Sequence, residues 1–112
     1  MDDHRSDVLS GTLDLLIMKT LSLGPLHGYG VAQHIQRLSR DALRVEEGSL
    51  YPALQRMHVK GWIASEWKQT PTGRRARFYR LTPSGRRQLG LEESDFHRSV
   101  AAIARVLRAA ES

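Results

Sequence analysis

The side chains best placed to do chemistry in this sequence are cations. Lys68, Arg74, Arg75, Arg77, Arg80, Arg86 and Arg87 lie within one stretch, and no Asp or Glu occurs from Trp67 to Leu91. A one-signed run of this length repels itself, so it calls for a polyanion rather than for solvent alone. Other chemistry is poorly supplied. The five histidines, His4, His27, His34, His58 and His97, do not follow a metal-ligand spacing. His27 and His34 are seven apart and could share a helix face, but a third ligand is missing, and all five read as surface or groove residues. There is no cysteine, which removes thiol catalysis, disulfides and cysteine zinc sites. Nucleophile-elbow, P-loop and dinucleotide patterns are absent too. The sequence therefore predicts no enzyme, no cofactor and no metal.

Such a cationic run needs a small scaffold, and 112 residues allow one. A chain of this length buries roughly 60–70% of its unfolded surface, enough for a single core. Apolar residues at 40% and charged residues at 26% are globular values. A net charge of +5 and a pI of about 10.2 make nucleic acid the first partner to consider and an anionic membrane the second. The apolar stretch around Leu13 to Met18 is too short to span a bilayer, and Met1-Asp2-Asp3 does not open a signal peptide. The expected setting is the cytoplasm, without a membrane partner.

Periodicity places the elements. Leu9, Leu13, Leu16, Ile17 and Leu21 have helical spacing; Ser6 or Ser10 could cap that helix, and Gly24-Pro25 stops it. A second helix spans about Gly28 to Ser39 with Val31, Ala32, Ile35 and Leu38 on one face. Gly28 and Gly30 weaken its start by ~1 kcal/mol each, which signals close approach by another backbone, or a partner against that end. A third helix follows Glu46-Glu47, with Ser49 as N-cap and Pro52 in the first turn, where its missing N–H costs nothing. Leu50, Ala53, Leu54 and Met57 form its inner stripe, and Gly61 ends it. Ser49, Tyr51, Pro52, Gln55, Arg56 and Val59 make an outward face almost free of acid.

Trp62 to Lys68 and Arg75 to Leu81 read as two strands around the turn Thr70-Pro71-Thr72-Gly73, with Arg74, Arg75 and Arg77 near the tip. Thr82-Pro83 is an N-cap followed by proline at the first helical position. In the helix it opens, Leu89, Phe96, Val100, Ile103 and Leu107 are spaced 7, 4, 3 and 4, a coiled-coil-like seam for a second copy. The expected fold is α+β and mostly α: a winged helix-turn-helix over residues 1–81, three helices plus a two-stranded wing, and a C-terminal dimerisation helix over residues 82–112.

Five segments, in order, carry a resemblance. Gly11-Thr-Leu-Asp-Leu-Leu-Ile, Gly24-Pro-Leu-His-Gly-Tyr-Gly, Glu47-Gly-Ser-Leu-Tyr-Pro-Ala-Leu, Gly61-Trp-Ile-Ala-Ser-Glu-Trp and Arg77-Phe-Tyr-Arg-Leu-Thr-Pro-Ser-Gly resemble the PadR family of bacterial transcriptional regulators, in its compact subgroup with a short last helix. The resemblance spans about Leu9 to Leu107. It implies a homodimeric, sequence-specific DNA-binding regulator of repressor type, relieved by a small-molecule effector, on a roughly palindromic double-stranded operator. It also implies that Tyr29 touches the DNA backbone; relatives often carry Gly-Tyr-Glu where this chain has Gly28-Tyr29-Gly30. In compact relatives an aromatic residue of the last helix lines a pore between subunits that holds planar aromatic molecules, and the matching position is Phe96.

Several side chains carry two readings. Tyr51 either donates its hydroxyl to a phosphate or packs beneath the wing. Ser49, at a helix N-terminus, suits a phosphate, while Gln55 and Arg56 lie where base edges come within reach, each bidentate pair being worth ~1–3 kcal/mol of discrimination. Arg74, Arg75 and Arg77 are the expected wing contacts, whereas Arg80 and Arg86 could instead pair with Glu66 or the last helix. Trp62, Trp67, Phe78 and Tyr79 either pack the hairpin on the helices or stack on single-stranded nucleic acid. Phe96 either fills the dimer seam or faces a ligand. Two rival functions stay open: an RNA-binding winged helix, and a protein–protein module indifferent to the wing charges.

Overall fold

The computed structural model describes residues 2–111, with side chains from Thr12 to Ala109. The Ser6 and Ser10 caps, Leu9 and His4 lie outside the described side chains. The elements are α1 (Asp2–Leu21), β1 (Leu26–His27), α2 (Gly28–Leu38), α3 (Glu47–Val59), β2 (Ile63–Gln69), β3 (Arg75–Leu81) and α4 (Pro83–Glu111). They form a winged helix-turn-helix followed by a single C-terminal helix, as the sequence predicts, and that helix has 29 residues. The wing hairpin gains a strand that was not expected: β1 pairs antiparallel with β3, giving the order β1-β3-β2. Two residues are too few to show an alternating pattern, so only the tertiary pairing reveals this strand.

One core joins every element. Leu13, Ile17, Met18 and Leu21 of α1 meet Val31 and Ile35 of α2, the stripe Leu50, Ala53, Leu54 and Met57 of α3, and Ile63, Tyr79 and Leu81 of the sheet. Two expected positions differ. Leu38 is exposed rather than on the inner face of α2, because it is the last helical residue before the chain turns away through Arg40 and Asp41, both with positive φ. Leu89, expected to head the dimer seam, is buried in the chain's own core. The first turns of α4 therefore pack with residues 1–81.

The start of α3 also differs. The helix begins at Glu47, with Glu46 as an N-cap lacking a side-chain bond. The Ser49 and Leu50 amides both reach the Glu46 carbonyl, at 3.0 and 2.9 Å. Ser49 is thus inside the first turn rather than its cap, and Pro52 is in the second turn. The bond proline cannot make would have gone to Gly48. That residue is exposed, without a side chain and without neighbours at its Cβ position, so water can solvate the freed carbonyl.

The junction into α4 is tightly specified. Thr82 Oγ1 accepts the Gly85 amide at 3.0 Å and donates toward the Gly61 and Trp62 carbonyls at 2.6 and 3.0 Å. The Thr82 amide also donates to the Trp62 carbonyl at 3.0 Å. A Cβ on Gly85 would come within 2.0 Å of that same oxygen, so glycine is required for the helix to approach the Trp62 backbone just before β2. Lys19 and Glu93, 3.4 Å apart, tie α1 to the next turns of α4. From Ser94 to Ala109 the helix is exposed except for Ala102 and Ala104, which are half-buried.

Candidate nucleic-acid interface

Strand alternation decides which side chains of the wing share a face. Ile63 and Leu81 are paired and buried, and the same face continues outward through Ser65 opposite Tyr79, Trp67 opposite Arg77, and Gln69 opposite Arg75. The other face holds Glu66, Lys68, Phe78 and Arg80, with His27 of β1 beside Phe78. The hairpin closes through Thr70–Arg74, where the Gly73 amide donates to the Thr70 carbonyl at 2.9 Å. Arg74 and Arg75 are exposed there, as the sequence indicates.

From the wing tip to α2 a continuous row of side chains can be followed. The Arg75 guanidinium lies 5.6 Å above the Trp67 ring. Arg77 is half-buried, donates from Nε to Ser65 Oγ at 2.9 Å and lies 5.7 Å over the Tyr79 ring. Burial raises the Tyr79 phenol above its ordinary pKa; the Arg77 charge opposes the shift, and nearby Tyr51 adds to it. Tyr51 in turn packs on Gly28, whose Cβ would meet the tyrosine ring at 3.0 Å. The close approach at that glycine is made by a side chain of α3, not by the backbone or partner expected. Tyr51 is nevertheless 45% exposed, so packing and outward contact coexist in it.

Tyr51 and Tyr29 then share a hollow of about 570 Å³ between α2 and α3, with Gln33, Gln36 and Arg37 among its walls. Tyr29, 64% exposed, stacks on the His27 ring at 6.4 Å and 12°. His27, expected as a surface or groove residue, is half-buried and has a structural part as well. Its Nδ1 accepts the Gly30 amide at 2.9 Å and so caps α2, and its ring meets Phe78 edge-on at 5.4 Å. A Cβ on Gly30 would press against that ring at 3.2 Å, which accounts for the second glycine.

The outward face of α3 exposes Ser49, Tyr51, Pro52, Gln55 and Arg56. Gln55 follows Tyr51 by one turn. Arg56 is engaged elsewhere: its guanidinium pairs with Asp14 of α1 at 2.9 Å. Glu66 pairs with Lys68 at 3.5 Å, not with Arg80. Of the hairpin aromatics, Tyr79 is buried and Trp62 packs on the core beneath Lys60, but Trp67 is 59% exposed. The sequence leaves packing and stacking open for all four of these aromatics. The signal that decides Trp67 is alternation: it is two steps beyond the last core position that β2 can reach.

A helix-turn-helix, a basic wing and a long last helix in this order define a narrow group of folds, and comparison with known proteins decides among them. The profile of the Transcriptional regulator PadR-like family matches residues 17–91. The chain belongs to this family. A PadR family transcriptional regulator from Eggerthella lenta superposes with a TM-score of 0.79 at 26% identity, covering 95% of this chain and 90% of its own. A transcriptional regulator from Clostridium thermocellum, Cth-833, gives a TM-score of 0.82 at 25% identity over 88% of this chain and 96% of its own. The transcriptional regulator Rv3488 of Mycobacterium tuberculosis is 46% identical over 54 residues, 48% of this chain and 50% of that protein. PadR-like proteins are transcriptional regulators, not enzymes. Among the described residues, no His, Asp and Glu cluster could hold a metal, and no helix is long and apolar enough to cross a membrane.

Proposed function

We propose that this PadR-like regulator is a homodimeric repressor that binds a roughly palindromic double-stranded operator in the cytoplasm. The observation that carries the reading is that Tyr29 and Tyr51, on the hollow between α2 and α3, and Arg77, Trp67 and Arg75, on the wing, flank the buried Tyr79. In this reading α3 enters the major groove. Gln55 reads base edges, joined by Arg56 once it exchanges its Asp14 partner for the duplex; Tyr29, Ser49 and Tyr51 hold phosphates beside Pro52, and Arg74, Arg75 and Arg77 bind the flanking backbone.

Dimerisation is supported by the exposed stripe Phe96, Val100, Ile103 and Leu107 on α4. Soluble chains rarely leave such a stripe in water, and a two-fold pairing of the helices covers it. Residues 82–112 then act as the assembly helix of the 1–81 body, and the two copies of α3 lie about 34–36 Å apart, one turn of duplex. Repression needs no reaction, since occupying a promoter excludes polymerase. Phe96, 38% exposed and edge-on to His97 at 5.8 Å, offers a ring to a planar aromatic effector held between subunits.

The test is competitive selection from a mixture of random duplex DNA and random single-stranded RNA, followed by affinity measurements across salt concentrations for the parent and an Arg74→Ala, Arg75→Ala, Arg77→Ala variant. A palindromic consensus is expected, together with a salt slope that flattens by about one for each phosphate no longer neutralised. Enrichment of single-stranded RNA instead would favour the stacking role of Trp67. An unchanged slope with no consensus would favour a protein–protein module.

A further inference from the structure

Arg75 and Trp67 form a pair that phosphate neutralisation alone does not explain. An exposed arginine on a hairpin tip ordinarily samples many rotamers, and ordering it on a duplex opposes binding. Here its guanidinium lies 5.6 Å over an indole that is itself 59% exposed. Across the ladder, Trp67 faces Arg77, which Ser65 and the Tyr79 ring hold in place. Both arginines are thus ordered on one edge of a narrow ribbon, and one face of each guanidinium is already covered by an aromatic ring rather than by water.

We infer that Trp67 is a positioning residue: it holds Arg75, next to Arg77, in the orientation that enters a narrow A·T-rich minor groove flanking each half-site. This rests on the DNA-binding reading above. Narrow A·T minor grooves concentrate negative potential and favour arginine inserted along them. An arginine that has shed water from one face and lost its rotamer freedom in advance gains most from such a groove. Trp67 therefore makes the wing sensitive to groove width at base pairs that α3 does not reach.

The experiment compares the parent with Trp67→Leu, Trp67→Phe, Arg75→Ala and the Trp67→Leu, Arg75→Ala double variant on operators flanked by A·T or by G·C tracts. Removing an exposed cation–π pair corresponds to a fall of about three- to fivefold, which is expected for Trp67→Leu on the A·T-flanked operator. Trp67→Phe, which keeps a ring, should stay within about twofold of the parent. The double variant should bind no worse than Arg75→Ala alone, and the flank preference should vanish in both. In the free proteins, the Arg75 side-chain proton resonances should lie upfield in the parent through the indole ring current and return to solvent-exposed values in Trp67→Leu. Unchanged melting temperatures would show that the wing itself is intact.

The inference is overturned by losses that multiply in the double variant, by a parent without flank preference, or by Arg75 resonances that ignore the indole. A parent that binds no duplex would sink the regulator reading and this inference together. A parent that binds while the losses multiply would sink this inference alone.

Discussion

Adding one methyl group at Gly85 should do more damage than most substitutions on the surface of this protein. The alanine Cβ would lie 2.0 Å from the Trp62 carbonyl oxygen, 2.9 Å from its carbon and 2.7 Å from a Leu81 methyl. The oxygen would have to retreat by more than about 1 Å to reach ordinary contact distance. It is not free to do so, because it accepts bonds from the Thr82 amide and from Thr82 Oγ1. Overpacking against fixed backbone costs ~2–3 kcal/mol, and weakening those bonds adds ~1–2 kcal/mol. Alanine's better helix propensity returns ~1 kcal/mol. The net loss is about 2–4 kcal/mol, or ~10–20 °C in melting temperature for a chain of this size. Gly90 is the control: it is in the same helix, is exposed, and has nothing within 4 Å of its Cβ position, so Gly90→Ala should stabilise by about 0.5–1 kcal/mol. Urea unfolding followed by far-ultraviolet circular dichroism, at one fixed protein concentration because assembly contributes to stability, gives both numbers. Equal effects of the two substitutions would refute the close contact between Gly85 of α4 and the Trp62 backbone.

Other perturbations probe assembly, reading and charge. Val100→Asp lies on the exposed part of α4 and should leave the winged body folded, while an unpaired charge in the seam costs the dimer several kcal/mol; sedimentation should then show a monomer that no longer binds the operator. A Gln55→Ala, Arg56→Ala variant should relax base preference at particular operator positions, whereas Ser49→Ala or Tyr51→Phe should lower affinity without changing the consensus. Asp14→Asn, which releases Arg56 from its 2.9 Å ion pair, should raise operator affinity about two- to fivefold, and an unaltered affinity would make Arg56 a structural partner of α1. Burial holds Tyr79 neutral in the fold, so above about pH 10 the unfolded chain loses that proton first and stability declines as pH rises. Tyr79→Phe should flatten that decline in denaturation measured across the alkaline range.

What the sequence records well is burial period. The stripe Leu50, Ala53, Leu54 and Met57 is buried as its spacing predicts, β3 has the predicted bounds, and Thr82-Pro83 opens α4 with the predicted cap. Features set by contacts distant in the chain are not written in any local pattern. Leu89 has heptad spacing with Phe96 but enters the core, because the first turns of α4 pack against α1 and β3, with Gly85 seated on the Trp62 carbonyl. Ser49 has the chemistry of a cap, yet the helix begins two residues earlier because Pro52 is tolerated above a bare, solvated Gly48. The exposed cations and the outward face of α3 were legible as a candidate site. The Asp14 partner of Arg56 and the His27 cap were not, since each joins residues whose proximity depends on how the helices and sheet pack.

His27 and the short strand it belongs to explain how so small a body can hold its candidate contacts in one arrangement. Pairing of Leu26 with Tyr79 and of His27 with Phe78 fixes β1 on the wing. The next residue begins α2, and the His27 ring caps that helix, supports Tyr29 and abuts Phe78. A displacement of the wing would therefore break the cap of α2 and disturb the Tyr51 seat on Gly28. Thr82 imposes a similar restraint at the other end, binding the start of α4 to Gly61 and Trp62. In the proposed dimer, an effector between the two copies of α4 could not easily reshape one reading surface by itself. What it can change is the distance and angle between two rigid bodies, and a mismatch of a few ångströms with the roughly 34–36 Å spacing of successive major grooves is enough to release one half-site.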